Sequence, residues 1–473
     1  MNRSRSTALT PLLLSADATR ETDEDCACPD GVFGVTLAAT GGSLAQTPGI
    51  SAQPLPGDHW LLHSPLAPGG PCVLNTAGYE RWQGFAAPRP AADAFDHQLL
   101  RQALITPAGR RAVPQAAPAQ TLTAWLHVTN ACNLDCPYCY VRKSSARMSD
   151  EIGLAAVERL FETAQGHGFR RLKLKYAGGE ATLHFRLLRW LHERAVALAE
   201  TTGIALREVV LSNGAHLRPT DADWLAEAGV KLMVSLDGVG ADHDRQRPLR
   251  GGGGTFALVE RTVDEVLLPR GIRPDVTITL TALNAAGAAG AVRWALSRDL
   301  PVSLNFYRPN LLSAGRRELE LEEQAIINGM LAAYGVFEEY LPERPFLSGL
   351  LDRVQAQAHS HTCGVQHSYV VIAHDGRTAQ CQMHLEQRGD YLPLDLLDSV
   401  SSGPILNLAV DDKTGCRECA FRYRCSGGCP LETYRATGRW DVQSPHCGIY
   451  RALFPAALRL EGLRLLKTAG HVL

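Results

Sequence analysis

Cys132-Asn-Leu-Asp-Cys136-Pro-Tyr-Cys139-Tyr140 sets three thiols in one short loop at C-x3-C-x2-C spacing. The loop follows Leu122-Thr-Ala-Trp-Leu-His-Val128, an apolar run of strand type, and a Thr-Asn pair that ends it. A loop this tight can aim three thiolates at one point. Three ligands suit a 4Fe–4S cube with one iron left without a protein ligand, whereas four-cysteine ferredoxin runs close the cube. A structural zinc loop wants a fourth ligand, and the sequence offers none nearby.

Downstream of Thr121 the pattern alternates strand and helix. Strands are read at 122–128, 171–176, 206–211, 230–236, 275–280 and 302–307. Helices fall between them; in 150–165, Leu154, Val157 and Phe161 share one face. Six such units predict an α/β fold, a parallel sheet with outer helices close to a partial (β/α)6 TIM-like barrel. Such barrels place chemistry at the C-terminal strand ends, where the cysteine loop falls. The second strand runs into Tyr176-Ala-Gly178-Gly179-Glu180, whose glycines let a ligand approach the backbone and whose carboxylate would face the same cavity. The third ends in Leu211-Ser-Asn213-Gly214. The fourth ends in Val234-Ser235-Leu-Asp237-Gly238, followed by Asp242-His-Asp and Arg247. Gly251 to Gly254 lacks the Gly-Lys-Ser/Thr ending of a phosphate loop and reads as a lid edge and helix start.

A second cysteine set follows a helix at 321–341. Cys363 precedes Gly376-x4-Cys381; then come Cys416-x2-Cys419-x5-Cys425-x3-Cys429 and Cys447. Ten of thirteen cysteines thus fall into a triplet and a set of seven, which in a long chain reads as metal ligation rather than a disulfide scaffold. Thiolate-held clusters need reduced cysteine and favour the cytoplasm. At 473 residues the chain allows about three domains. A net charge of −2 argues against a nucleic-acid binder, and no apolar run approaches the ~20 residues of a membrane-spanning helix.

These motifs resemble those of radical S-adenosylmethionine (SAM) enzymes: C-x3-C-x2-C with an aromatic, here Tyr138, before the third cysteine. Gly178, Gly179 and Glu180 match a Gly-Gly-Glu-Pro motif that binds the amino group of SAM, with Ala181 in place of the proline. The Ser-Leu-Asp-Gly stretch with its following His-Asp and Arg is similar to the family's peptide and protein modifiers. The resemblance implies that Asn213 and Ser235 contact SAM's ribose and carboxylate; Asp237 and Arg247 could instead hold each other. The seven later cysteines are similar to the SPASM extension, which carries auxiliary clusters. By that resemblance Cys363, Cys381 and Cys429 hold a nearer cluster, and Cys416, Cys419, Cys425 and Cys447 an outer one. Tyr369 stands where some relatives have an eighth cysteine, so the nearer cluster could keep an open iron; His367 is the alternative occupant.

The resemblance implies SAM and three 4Fe–4S clusters, with Cys132, Cys136 and Cys139 at the catalytic one. It implies a peptide maturase that cleaves SAM reductively, uses the 5′-deoxyadenosyl radical to take a substrate hydrogen, and forms an oxidative crosslink in a precursor peptide. An external flavodoxin- or ferredoxin-type reductant would supply electrons; no nucleic acid or membrane partner is implied. The alternative is an anaerobic sulfatase maturase making formylglycine, whose aspartate base after the Gly-x4-Cys cysteine is Gln382 here. A peptide chaperone or zinc adaptor is the non-catalytic alternative.

The expected layout is a disordered leader over 1–28, a winged-helix-like module over 29–106, a linker over 107–120 and the barrel over 121–325. A bridging helix over 326–358, the SPASM domain over 359–450 and a C-terminal helix over 451–473 complete it. In the module, Val32 to Ala39, His59 to His63 and Cys72-Val-Leu read as strands, and Gly78 to Phe85 and Ala94 to Ile105 as helices. It weakly resembles domains that capture a leader peptide as an added strand, or it caps the barrel. Cys26, Cys28 and Cys72 fit no ligand pattern.

Overall fold

The computed structural model describes residues 10–16, 33–34, 42–109, 115–116 and 118–471. At its centre Thr121–Thr129 is buried at every position, as expected of a strand covered on both faces. On one side its parallel neighbours follow in chain order: Arg171–Gly178, Ala205–Ser212, Lys231–Ser235, Asp275–Leu280 and Val302–Phe306. These are the six strands read from the sequence. On the other side lies Tyr369–Ile372, also parallel, with Val371 opposite Trp125, and then the antiparallel Thr378–Ala379. The cysteine-rich C-terminal region thus extends the same sheet.

Local signals fix the helices between strands. Ser149 Oγ accepts the Ile152 N–H at the start of Asp150–Gly166, with Asp150 and Glu151 in the first turn. Phe185–Thr202 stops at Gly203 and Pro219–Ala228 at Gly229, both left-handed. The helix expected at 321–341 spans Glu323–Tyr340.

An antiparallel sheet precedes the large one, ordered Leu13–Ser15, Cys72–Asn75, His59–His63, Ser51–Leu55, with helices Thr76–Gln83 and Ala94–Arg101. Several expectations change here. Part of the leader expected to be disordered is an edge strand: Leu13 pairs with Leu74, Leu12 N–H donates to Asn75 Oδ1 (3.0 Å), and Asn75 Nδ2 donates to Thr10 O (2.9 Å). Apolar Leu13 and Leu14 find a sheet to pack on, which offsets the cost of ordering them. The second helix ends at Arg101, not Ile105: Ala103 turns the chain at φ 50°, and Ile105–Pro107 pairs with Leu44–Gln46. The expected linker contains Gln115–Ala116, paired with Phe33–Gly34. The rest of the 32–39 strand, and Cys26 and Cys28, lie outside the described residues. Cys72 is buried in this sheet.

The C-terminal helix starts earlier than expected, at Cys447, and runs to Thr468. Leu453, Leu460 and Leu463 are buried, and Gly462 packs against Leu61 and Leu55 of the antiparallel sheet. Among the described residues no helix is long and apolar enough to cross a membrane.

Candidate active site

Cys132, Cys136 and Cys139 leave the C-terminal end of the central strand and line one cavity of about 990 Å³, which runs down the strands past Ser235, Thr277 and Asn305. The loop is pinned by its neighbours. Asp135 N–H donates to Pro248 O (2.8 Å), Arg250 N–H to Asn133 O (2.9 Å) and Asn310 Nδ2 to Tyr138 O (3.0 Å).

Gly178 and Gly179 also line the cavity, but the space beside them belongs mostly to the chain itself. A Cβ on Gly178, whose φ is 149°, would stand 2.2 Å from Thr129 O; one on Gly179 would stand 2.4 Å from Ala131 O. Gly179 and Glu180 N–H groups donate to those oxygens at 2.7 and 2.8 Å. The sequence reading gave this room to a ligand; the structure gives it to the root of the cysteine loop.

Glu180 is buried at the cavity wall. Its Oε1 accepts from Thr182 Oγ1 (2.7 Å), Thr182 N–H (3.3 Å) and Ser212 Oγ (2.8 Å), its Oε2 from Asn213 N–H (2.6 Å). Burial pushes its carboxyl above the usual range, and these donors oppose the shift. Asn213 Nδ2 donates to Asn133 Oδ1 (2.8 Å). Ser235 lines the cavity on the fourth strand. Tyr138 lines it too, but its hydroxyl is engaged elsewhere: it donates to Asp237 Oδ2 and accepts from Arg247 Nη1. Arg247 and Asp237 are 3.4 Å apart, so they do hold each other. Asp237 Oδ1 accepts from Thr279 N–H (2.8 Å), tying the loop to the fifth strand. The Gly251–Gly254 stretch leads into Phe256–Arg261, where Asp244 Oδ1 accepts the Thr255 and Phe256 N–H groups at 2.7 and 2.8 Å; a carboxylate takes the place a phosphate would need.

The later cysteines fall into a three and a four. Cys363, Cys381 and Cys429 line a second, small cavity, near enough that ionising Cys429 would raise the thiols of Cys363 and Cys381 further. Cys416, Cys419, Cys425 and Cys447 influence one another in the same way. Tyr369, not His367, helps wall the small cavity; the His367 ring lies 4.3 Å from that of His361. Arg308, Arg353, Gln382 and Met383 line both cavities and so form the partition between them. Arg308 escaped the sequence reading. Its signal was its place just past the sixth strand, at the functional end of the sheet.

The donor chemistry fits iron–sulfur clusters better than single ions. Burial raises the thiols of Cys132, Cys136 and Cys139, and that of Cys381 to about 12, a cost a bound cation removes. Leu134 and Val141 N–H groups donate to Cys132 and Cys139 Sγ, each at 3.4 Å. Among the described residues no three cysteine sulfurs lie within 4.8 Å of one another. Tetrahedral zinc needs its sulfurs about 3.8 Å apart; a cube spreads them wider.

Residues 126–284 match the family described as the radical SAM superfamily. The chain is 24% identical over 375 residues to the serine-type anaerobic sulfatase-maturating enzyme of Klebsiella aerogenes, a match spanning 72% of this chain and 87% of that one. It is 29% identical over 135 residues to the sporulation killing factor maturation protein SkfB of Bacillus subtilis, covering 28% and 30% of the two chains. Its fold is similar to the solved structure of native anSMEcpe with bound AdoMet and Cp18Cys peptide, with a TM-score of 0.60 at 19% identity over 73% of this chain and 99% of that one. The cysteine loop at the head of the parallel sheet thus lies in the stretch that matches the radical SAM superfamily, and the chain is an enzyme with a radical SAM domain.

Proposed function

We propose that the enzyme is a maturase that modifies a peptide, with Cys132, Cys136 and Cys139 holding the catalytic 4Fe–4S cluster. Glu180 receives the amino group of SAM. Its Oε1 is filled by three donors while Oε2 takes one, which leaves Oε2 able to accept from an ammonium. Asn213 and Ser235 orient the rest of SAM, and the Tyr138 ring closes the wall beside it. When bound there, the cluster and SAM would supply radical chemistry for removing a hydrogen from the substrate. Cys363, Cys381 and Cys429 hold a nearer auxiliary cluster, and Cys416, Cys419, Cys425 and Cys447 an outer one, completing a SPASM domain. The observation that carries the reading is the shared partition: the three-cysteine cavity at the sheet end adjoins the Cys363 cavity through Arg308, Arg353, Gln382 and Met383. A cluster held by Cys363, Cys381 and Cys429 would stand across this partition from the substrate and would supply an electron acceptor there.

Similarity to sulfatase-maturating enzymes favours a second reading, formylglycine formation. Against it, Gln382 occupies the place of the expected base and accepts a hydrogen bond from Tyr369 (2.7 Å). Asp352 is a weaker base than an ordinary carboxylate: burial disfavours its charge, but Arg308 and Arg353 outweigh that and keep the carboxyl below the usual range. The glutamine at this place is the ground on which we propose an oxidative crosslink in a precursor peptide. The N-terminal sheet is the candidate for holding that peptide as a winged-helix-like recognition module, with the edge beside Cys72–Asn75 filled by the chain's own Leu13–Ser15. Reduced thiol ligands fit a cytoplasmic enzyme. Two incubations separate the chemistries: a hydrazide-reactive aldehyde on the Cp18Cys peptide supports formylglycine and overturns the crosslink, and loss of two hydrogens from a precursor peptide, read by mass spectrometry with no aldehyde formed, supports crosslinking.

A further inference from the structure

Lys413 lies three residues before Cys416 and is only 1% exposed. A lysine this deep in a protein needs a partner for its charge. Its Nζ donates to Ser426 O (2.7 Å), and the same carbonyl accepts from Thr362 Oγ1 (2.8 Å). Ser426 lies in Cys425-Ser-Gly-Gly-Cys429, the segment that joins the set of four cysteines to the set of three, and Thr362 precedes Cys363. The ammonium is thus held at the seam between the two sets. Gly427, with φ 81°, leaves it room: a Cβ there would stand 2.7 Å from Lys413 Cδ, 3.2 Å from its Nζ and 3.3 Å from Cys416 Sγ.

Among the described residues no carboxylate pairs with this charge. Of its neighbours in sequence, Asp411 accepts from the Tyr423 hydroxyl (2.7 Å) and faces Arg422 at 3.4 Å, and Asp412 is exposed. The anions that act on the ammonium are Cys416 and Cys425 of the four and Cys363 and Cys429 of the three. Burial works against the ammonium, and these thiolates work for it. A 4Fe–4S cluster on cysteine thiolates is itself an anion, and reduction makes it more negative, so the charge around it sets its potential.

We infer that Lys413 is a cation shared by the two auxiliary clusters, where it raises the reduction potential of both. The inference rests on the proposed function, which puts a cluster on each cysteine set. An electron added on either side of the seam brings negative charge beside the ammonium and is stabilised by it. Lys413 is neither oxidised nor reduced, and no proton or atom moves. It acts through the clusters and touches neither SAM nor substrate.

The test uses the full-length chain carrying Cys132→Ala, Cys136→Ala and Cys139→Ala, reconstituted anaerobically, so that only the auxiliary clusters are read. Lys413→Gln keeps a donor for Ser426 O and removes the charge; Lys413→Arg keeps the charge. Iron and sulfide are counted, and midpoint potentials are read by redox titration followed by electron paramagnetic resonance. The expected result is full iron in both variants, both midpoints more negative in Lys413→Gln than in the parent, and both returned toward the parent in Lys413→Arg. Unchanged midpoints in an iron-loaded Lys413→Gln overturn the inference, as does a shift confined to one cluster or a Lys413→Arg as negative as Lys413→Gln. Iron lost from Lys413→Gln but kept by Lys413→Arg supports the charge; iron lost from both makes the lysine a packing element and overturns it. A parent that holds no auxiliary iron defeats the proposed clusters themselves, and the iron count on the parent tells that failure from the others.

Discussion

Gly178 and Tyr138 carry the account at the level of single residues, and the partners that hold each of them were not legible in the sequence. Each lies in a recognisable motif, but its work is set by partners that no spacing reveals. Thr129 O lies 2.2 Å from where a Gly178 Cβ would be, and Asp237 lies 99 positions along the chain from Tyr138. Gly178→Ala should destabilise the fold by about 1–3 kcal/mol and lower the iron retained after reconstitution, measured by thermal melting and iron assay. Tyr138→Phe leaves Asp237 and Arg247 buried without their bridging hydroxyl. It should cost about 1–3 kcal/mol with little change in the KM for SAM, because the ring still lines the cavity. A large rise in KM without a change in melting temperature would assign the hydroxyl to SAM instead. That Cys132, Cys136 and Cys139 line one cavity and Cys363, Cys381 and Cys429 another was legible, because ligand chemistry restricts residue type and spacing more tightly than packing does.

Among the elements, the six parallel strands were legible from their apolar runs and from the helices between them. The seventh, Tyr369–Ile372, was not, although Tyr-Val-Val-Ile is itself a run of strand formers. It sits among cysteines and returns to the first strand across more than two hundred residues, so nothing local announces its partner. Val371 is fully buried opposite Trp125. Val371→Asp should place an unpaired charge there, cost about 3–5 kcal/mol, and detach the region around Cys363 and Cys381, seen as protease sensitivity confined to the C-terminal part. The strand Leu13–Ser15 was missed for the opposite reason: its polar surroundings suggested a chain that would not order.

The whole molecule has an acid limit. His243 is buried, with its Nδ1 accepting from Asp237 N–H (3.2 Å) and its Nε2 3.0 Å from Thr255 Oγ1. Burial first, and then Arg247, push its pKa from 6.5 to about 3. Above 6.5 neither folded nor unfolded chain binds the proton; below it the unfolded chain does so first. Stability is therefore full above pH 6.5 and falls as pH drops toward about 3, by up to about 1.4 kcal/mol per pH unit from this group. Melting temperatures across that range should show the decline, and His243→Gln should make it shallower but not remove it, because burial lowers the pKa values of His63, His127, His359 and His361 in the same way. Above these consequences stands the claim that the three-cysteine loop and the cavity behind it cleave SAM. The most direct measurement is 5′-deoxyadenosine formed from SAM by the anaerobically reconstituted enzyme under dithionite, beside the Cys132→Ala, Cys136→Ala, Cys139→Ala variant. The account predicts deoxyadenosine from the parent and none from the variant; equal amounts from both, or none from a parent loaded with iron and sulfide, would contradict it.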